Sequence, residues 1–116
     1  MHNFRQLQIW KEGMELVKAI YVILKEFPDI EKFGLISQIS RCAVSVPSNI
    51  AEGSSRSSNK EFSHFLSIAL GSLFELETQL LLSVELGYVN NMQTDGLIMS
   101  LVQLQKKIVT FKKTLA

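Results

Sequence analysis

At 116 residues the chain is long enough to bury one core without staples, and its 47% of hydrophobic residues is too high for disorder. Two prolines and six glycines leave little room for the many turns of a β-sandwich. A formal charge of +1 does not by itself mark a nucleic-acid binder. Cys42 is the single cysteine, so an internal disulfide is excluded and a reducing compartment fits. The opening MHNFRQLQIW lacks the basic head and apolar run of a signal peptide. The longest uncharged run, Phe62 to Phe74, is thirteen residues and falls short of the roughly 18–20 that a membrane span needs. The expectation is one all-α domain over residues 1–116, cytoplasmic and without a membrane.

Leu7, Trp10, Met14, Val17, Tyr21 and Leu24 recur at spacings of three and four, which predicts a helix from about residue 5 to Phe27. Ile9, Leu16, Ile20, Ile23 and Phe27 form a second apolar row beside the first. Pro28 ends this helix, because the residue before a proline is pushed away from helical geometry. After a turn over Asp29 to Phe33, the second helix has Leu35 or Ile36, Ile39, Ala43, Val46 and Ile50 as its inner face. Pro47 lies within it, lacks a backbone N–H and crowds the carbonyl four residues back, so the helix is expected to kink or restart there. Ser48, Asn49 and Glu52 are residue types that can satisfy the backbone groups such a kink frees. Gly53 and the run Ser54 to Asn59 read as the next connection, and Ser58 with Glu61 as a capping box.

The third helix, from about Asn59 to Leu86, is the most apolar, with an inner row of Phe62, Phe65, Leu66, Ala69, Leu73, Leu76 and Leu80. Ser63, Ser67 and Gly71 make a row of small residues, and Gly87 is the stop. Asn90 or Asn91 caps a fourth helix with Leu97, Leu101, Leu104, Ile108, Phe111 and Leu115 on its seam. Four helices with short connections favour antiparallel neighbours, hence an up-down-up-down four-helix bundle. The first and third helices carry more apolar surface than one seam consumes, which predicts self-association through one of them.

PSNIAEGSSR (Pro47 to Arg56), Trp10, FPDIEKFGLISQISR (Phe27 to Arg41) and FLSIALGSLFELETQL (Phe65 to Leu80) together resemble the 23S rRNA intervening-sequence protein family of bacterial four-helix bundles. The resemblance implies a left-handed bundle that assembles as a ring-like homopentamer. It also implies kinship with the accessory variability determinant proteins of diversity-generating retroelements, which bind nucleic acid and a reverse transcriptase. The family pattern carries over to Arg41, Pro47, Asn49, Glu52, Gly53, Gly71 and Glu75. These are expected to be structural: a polar network around the kink, with Arg41 meeting Glu52 or Glu75.

Chemistry-bearing constellations are few. Glu61 and His64 have the Glu-x-x-His spacing of a di-iron half-site, but the other histidine, His2, falls in a terminus expected to fray. No cofactor or metal is expected. Cys42 beside Arg41 reads as a small buried hydrophobe rather than a nucleophile, with no histidine placed as its base. After Asp95 the chain has Lys106, Lys107, Lys112 and Lys113 and no acidic side chain. Lys106 and Lys113 lie opposite the seam, and Lys107 and Lys112 on its flanks. They are a solvated face complementing the helix dipole, or, with Arg56 and Lys60, a phosphate-contacting patch. Five copies would pool about twenty such lysines. The reading is a non-enzymatic oligomeric bundle that contacts RNA or DNA phosphates. A protein-binding scaffold, holding a partner such as a reverse transcriptase, is the alternative.

Overall fold

Polar N-caps and a glycine stop divide the chain into helices whose apolar stripes converge on one core. The structure, a computed structural model, describes residues 2–116. It contains α1 (Gln8–Leu24), α2 (Leu35–Ser54), α3 (Asn59–Glu85) and α4 (Asn91–Lys113), and no strand among the described residues. Short 3₁₀ turns, Phe4–Gln6 and Asp29–Glu31, precede α1 and α2. Each helix packs on two others: α2 lies against α1 and α3, and α4 against the same two. Neither α1 with α3 nor α2 with α4 is in contact, so these are the diagonals of the bundle.

The core is built from Ile20, Ile39, Val46, Ile50, Leu66, Leu73, Leu76, Leu80, Leu101, Leu104 and Ile108, with Phe62 among them. In α1 the buried row is Ile9, Leu16, Ile20 and Ile23, the second of the two rows read from the sequence. Met14 and Tyr21 of the first row stay exposed, while Leu24 of that row is buried, and Gly13 lets α2 approach closely at Pro47. A Cβ at Gly13 would sit 3.4 Å from the Pro47 side chain.

Several boundaries differ from expectation for local reasons. Regular α1 ends at Leu24, and the N–H groups of Lys25, Glu26 and Phe27 reach back three residues in a tightened tail. α2 is continuous through Pro47 and does not restart. Gly53 is not in the connection but buried inside α2, where a Cβ would lie 2.7 Å from Phe65 Cβ and 2.9 Å from Phe62 Cδ1. Ser58 caps α3 by accepting from the Glu61 N–H at 3.1 Å, but Glu61 does not reciprocate. The full capping box is instead Asn90 with Gln93 at the start of α4. Gly87, at φ +79°, closes α3 with Tyr88 N–H bonded to the Ser83 carbonyl at 3.0 Å.

With 27 residues and a mean hydropathy of 1.4 over its most apolar window, α3 is long and apolar enough to cross a membrane by composition, although its uncharged run is short. In this fold its inner row fills the bundle core, and Ile68, Phe74, Leu81 and Leu82 remain on its outside.

Candidate functional site

Phe62, in the first turn of α3, meets the last turns of α2 and α4. The His2 ring lies 5.1 Å from Phe62 and 6.0 Å from Phe111, and the two phenylalanines stack at 5.5 Å. The His2 N–H bonds to the Ser54 carbonyl at 3.1 Å. The terminus expected to fray is therefore docked across this end of the molecule.

Charge gathers at the same end. Segments 2–12, 52–64 and 104–116 carry Arg5, Lys11, Arg56, Lys60, Lys106, Lys107, Lys112 and Lys113 against Glu12, Glu52 and Glu61. That is eight cations and three carboxylates, a formal surplus of five positive charges. The rest of the chain holds Lys18, Lys25, Lys32 and Arg41 against eight carboxylates, a deficit of four. The long axis is 43 Å, several times the Debye length of about 8–10 Å in physiological salt, so the two ends present separate fields. The net charge of +1 is the near-cancellation of a basic end and an acidic remainder.

The basic residues are not equivalent. Lys107 forms an ion pair with Glu12 at 2.7 Å, and Lys112 donates to the Ser67 hydroxyl. Lys60, Lys106 and Lys113 are exposed and form no ion pair among the described residues. Arg56 pairs with Glu52 at 3.0 Å while its guanidinium lies 4.6 Å over the Phe65 ring. Arg56, Lys60, Glu61, His64 and Phe65 together line an open cleft of about 450 Å³. This stacked arrangement escaped sequence reasoning, because Arg56 and Phe65 belong to different elements. A second, more apolar cleft of about 390 Å³ runs between the start of α1 and the end of α4, from Leu7 and Ile9 to Phe111, with Lys106 and Lys107 among its lining residues.

The residues expected to form a polar network around Pro47 distribute differently. Asn49 donates to the Ser45 carbonyl at 2.8 Å, and the Ser45 hydroxyl donates to the Cys42 carbonyl at 2.6 Å and accepts from the Ser72 hydroxyl at 2.7 Å. Cys42 Sγ bonds to the Ser72 carbonyl at 3.0 Å, which ties α2 to α3. Arg41 is exposed and pairs with neither Glu52 nor Glu75, since Glu52 is engaged by Arg56 and Glu75 by Gln79 Nε2 at 3.4 Å. Gly71 faces outward, with nothing within 4 Å of a Cβ built on it. Burial, with help from the Glu75 charge, pushes the Cys42 thiol up to about 12, so it stays protonated and inert. Glu61 leans to Ser57 Oγ at 3.5 Å and His64 stands edge-on to Phe65, and among the described residues no three His, Cys, Asp or Glu side chains gather to hold a metal.

Apolar surface is left exposed in two further places. Trp10, Met14 and Val17 of α1 with Val44, Pro47 and Ala51 of α2 line a groove of about 340 Å³. Ile68, Phe74, Leu81 and Leu82 of α3 are also exposed. At the acidic end, Ile30, Phe33 and Met92 are 87–90% exposed beside the junction of Glu31 and Tyr88.

A family model described as 23S rRNA-intervening sequence protein matches residues 5–110. A crystal structure of a protein with unknown function from the S23 ribosomal protein family of Bacteroides thetaiotaomicron superposes with a TM-score of 0.83, at 24% identity over 90% of this chain and 98% of that one. That likeness bears on the fold alone. No curated protein matches the sequence.

Proposed function

This chain belongs to the 23S rRNA-intervening sequence protein family, and from that premise we propose that it is a non-enzymatic, self-assembling accessory protein of the cytoplasm that contacts nucleic-acid phosphates through its basic end. The polarised charge carries the reading: five surplus positive charges at one end give each subunit a field that its net charge conceals. Contacts of this kind are made mainly to phosphates and are sequence-independent.

The finer architecture belongs to the same proposal: a left-handed up-down-up-down bundle whose neighbouring helices run antiparallel, with α2 bent at Pro47. Paired registers support it, since Ser45 meets Ser72 while Gly53 meets Phe65 and Phe62, and Gly13 meets Pro47 while His2 meets Ser54. The assembly is a homopentameric ring. A ring requires two different complementary patches on each copy, whereas a two-fold dimer requires one. The α1–α2 groove and the exposed apolar residues of α3 supply two. Rotation about the ring axis then brings the basic ends onto one face, where modest individual contacts add multivalently.

The test is a titration of labelled RNA and DNA against rising salt. Binding at low salt whose logarithm falls linearly with log salt supports the reading, and absence of binding at low salt overturns it. A second reading, a scaffold that binds a protein such as a reverse transcriptase, is favoured by Ile30, Phe33 and Met92 at the acidic end. Replacing these three with serine separates the two, since it abolishes a protein contact and leaves nucleic-acid affinity intact.

A further inference from the structure

We propose that the cleft formed by the α2–α3 connection and the first turns of α3 takes an unpaired nucleotide, with Arg56 stacking on the base and Lys60 meeting the phosphate. This rests on the nucleic-acid reading above and narrows it from any phosphate backbone to a single strand.

The arrangement is more specific than a cationic surface. Arg56 is not a free charge: Glu52 holds one of its terminal nitrogens at 3.0 Å, and its guanidinium carbon lies 4.6 Å over the centre of the Phe65 ring. Some 40% of the Arg56 side chain remains open to solvent. A planar cation held over an aromatic ring and part-open to solvent is a surface on which another flat π-system can stack, although its Nε is buried. Lysine could supply the charge but not the plane. Lys60 lies one helical turn before His64, and both side chains line the cleft with the half-buried Phe65.

The recess, about 450 Å³ and open on one side, falls within the size range of small-ligand pockets. A base within a duplex cannot reach it, because its faces are covered by neighbouring pairs. An unstacked base can. Arg56 is paired with Glu52 and Glu61 is the one carboxylate of the lining, so Lys60, which forms no ion pair among the described residues, is the cation there that a phosphate would meet.

The experiment compares fluorescein-labelled oligouridine, oligothymidine and a blunt DNA duplex of equal length, by anisotropy at two salt concentrations. The proteins are wild type, Arg56→Lys and Phe65→Leu, each checked for an unchanged helical spectrum and melting temperature. Wild type is expected to hold single strands more tightly than duplex. Arg56→Lys keeps the charge and is expected to lose about five- to tenfold on single strands, with the duplex affinity and salt slope unmoved. Whichever strand shows the loss is the occupant. Equal affinity for duplex and strands, or strand binding untouched by Arg56→Lys and Phe65→Leu, overturns the cleft while leaving the phosphate reading standing. Absence of any binding at low salt overturns both.

Discussion

The Tyr88 hydroxyl donates to Glu31 Oε2 at 2.7 Å, joining the turn after α1 to the turn after α3 across 57 residues of chain. The same carboxylate takes the Leu35 N–H at 3.0 Å on its other oxygen, and so caps α2. The Leu35 N–H, then the Tyr88 hydroxyl, hold the Glu31 carboxyl below its ordinary value, and Glu31 in turn holds the Tyr88 phenol above its own. The signs follow from linkage. Glu31 contributes stability above its unfolded pKa of about 4.3, and this is lost as pH falls through the lower native value. Tyr88 contributes below about pH 10, and this is lost as pH rises through its higher native value. Denaturant midpoints measured across pH should therefore show Glu31→Gln flattening the acid limb and Tyr88→Phe the alkaline limb. Unchanged limbs in both variants would mean the link does not persist in solution.

Gly53 and Gly71 offer an internal contrast. A methyl group at Gly53 meets Phe65 Cβ, an atom fixed to its backbone, at 2.7 Å, so α2 and α3 must separate. Gly53→Ala is expected to cost about 1–3 kcal/mol in urea unfolding. Gly71→Ala meets nothing and replaces a poor helix former in α3, so a dissociated chain should gain up to about 1 kcal/mol. Equal effects at the two positions would contradict the packing described.

The contrast also marks what was legible in the sequence. Four helices, most of the core rows, the Gly87 stop and the Asn90 cap follow from periodicity and local backbone chemistry, which neighbouring residues determine. The two apolar rows of α1 were both visible, but which one faced inward depends on packing between helices, of which Gly13 against Pro47 is one contact. Gly53 read as a loop residue because its reason for being glycine lies in Phe65 and Phe62. At the candidate site the lysines were legible one by one. Their inequivalence was not, since Glu12 and Ser67, which engage Lys107 and Lys112, stand 95 and 45 residues away.

Cys42 should behave as a core residue rather than a reagent. With its thiol held near 12 by burial, the native protein at pH 8 should resist alkylation by iodoacetamide and react at once in denaturant. Because the native value lies above the unfolded one of about 8.5, its contribution to stability is complete below that pH and declines as pH rises toward 12. Rapid labelling of the native protein would require α2 and α3 to part at Ser72.

A ring built from two unlike flanks has a signature that a two-fold dimer lacks. Met14→Glu should disable the α1–α2 groove, and Phe74→Glu the α3 flank, each leaving a helical monomer by light scattering. Mixed together, the two variants retain one good flank each and should form a one-to-one dimer that grows no further. Wild type should assemble into a closed ring. If Met14→Glu alone leaves the assembly intact, the α3 flank meets its own copy and the ring is wrong.

Which lysines a polyanion meets should follow from the partners they already have. Lys107 faces Glu12 at 2.7 Å, so binding a phosphate there must first give up that pair, whereas Lys106 and Lys113 project without one. Removing a single lysine–phosphate interaction should reduce the salt slope by roughly one on duplex, and somewhat less on single strands. Lys106→Ala with Lys113→Ala should therefore lower affinity at low salt and reduce the slope by about two per engaged subunit. Lys107→Ala should reduce the slope much less, because that ammonium is already neutralised by a carboxylate. Glu12→Gln releases Lys107 and should strengthen binding. Were all four lysines to contribute alike, the Glu12 pair would have to be too weak in solution to matter, as exposed ion pairs often are. The Glu12→Gln measurement decides this directly, since a weak pair predicts only the small gain from one fewer carboxylate, with no new salt-sensitive interaction.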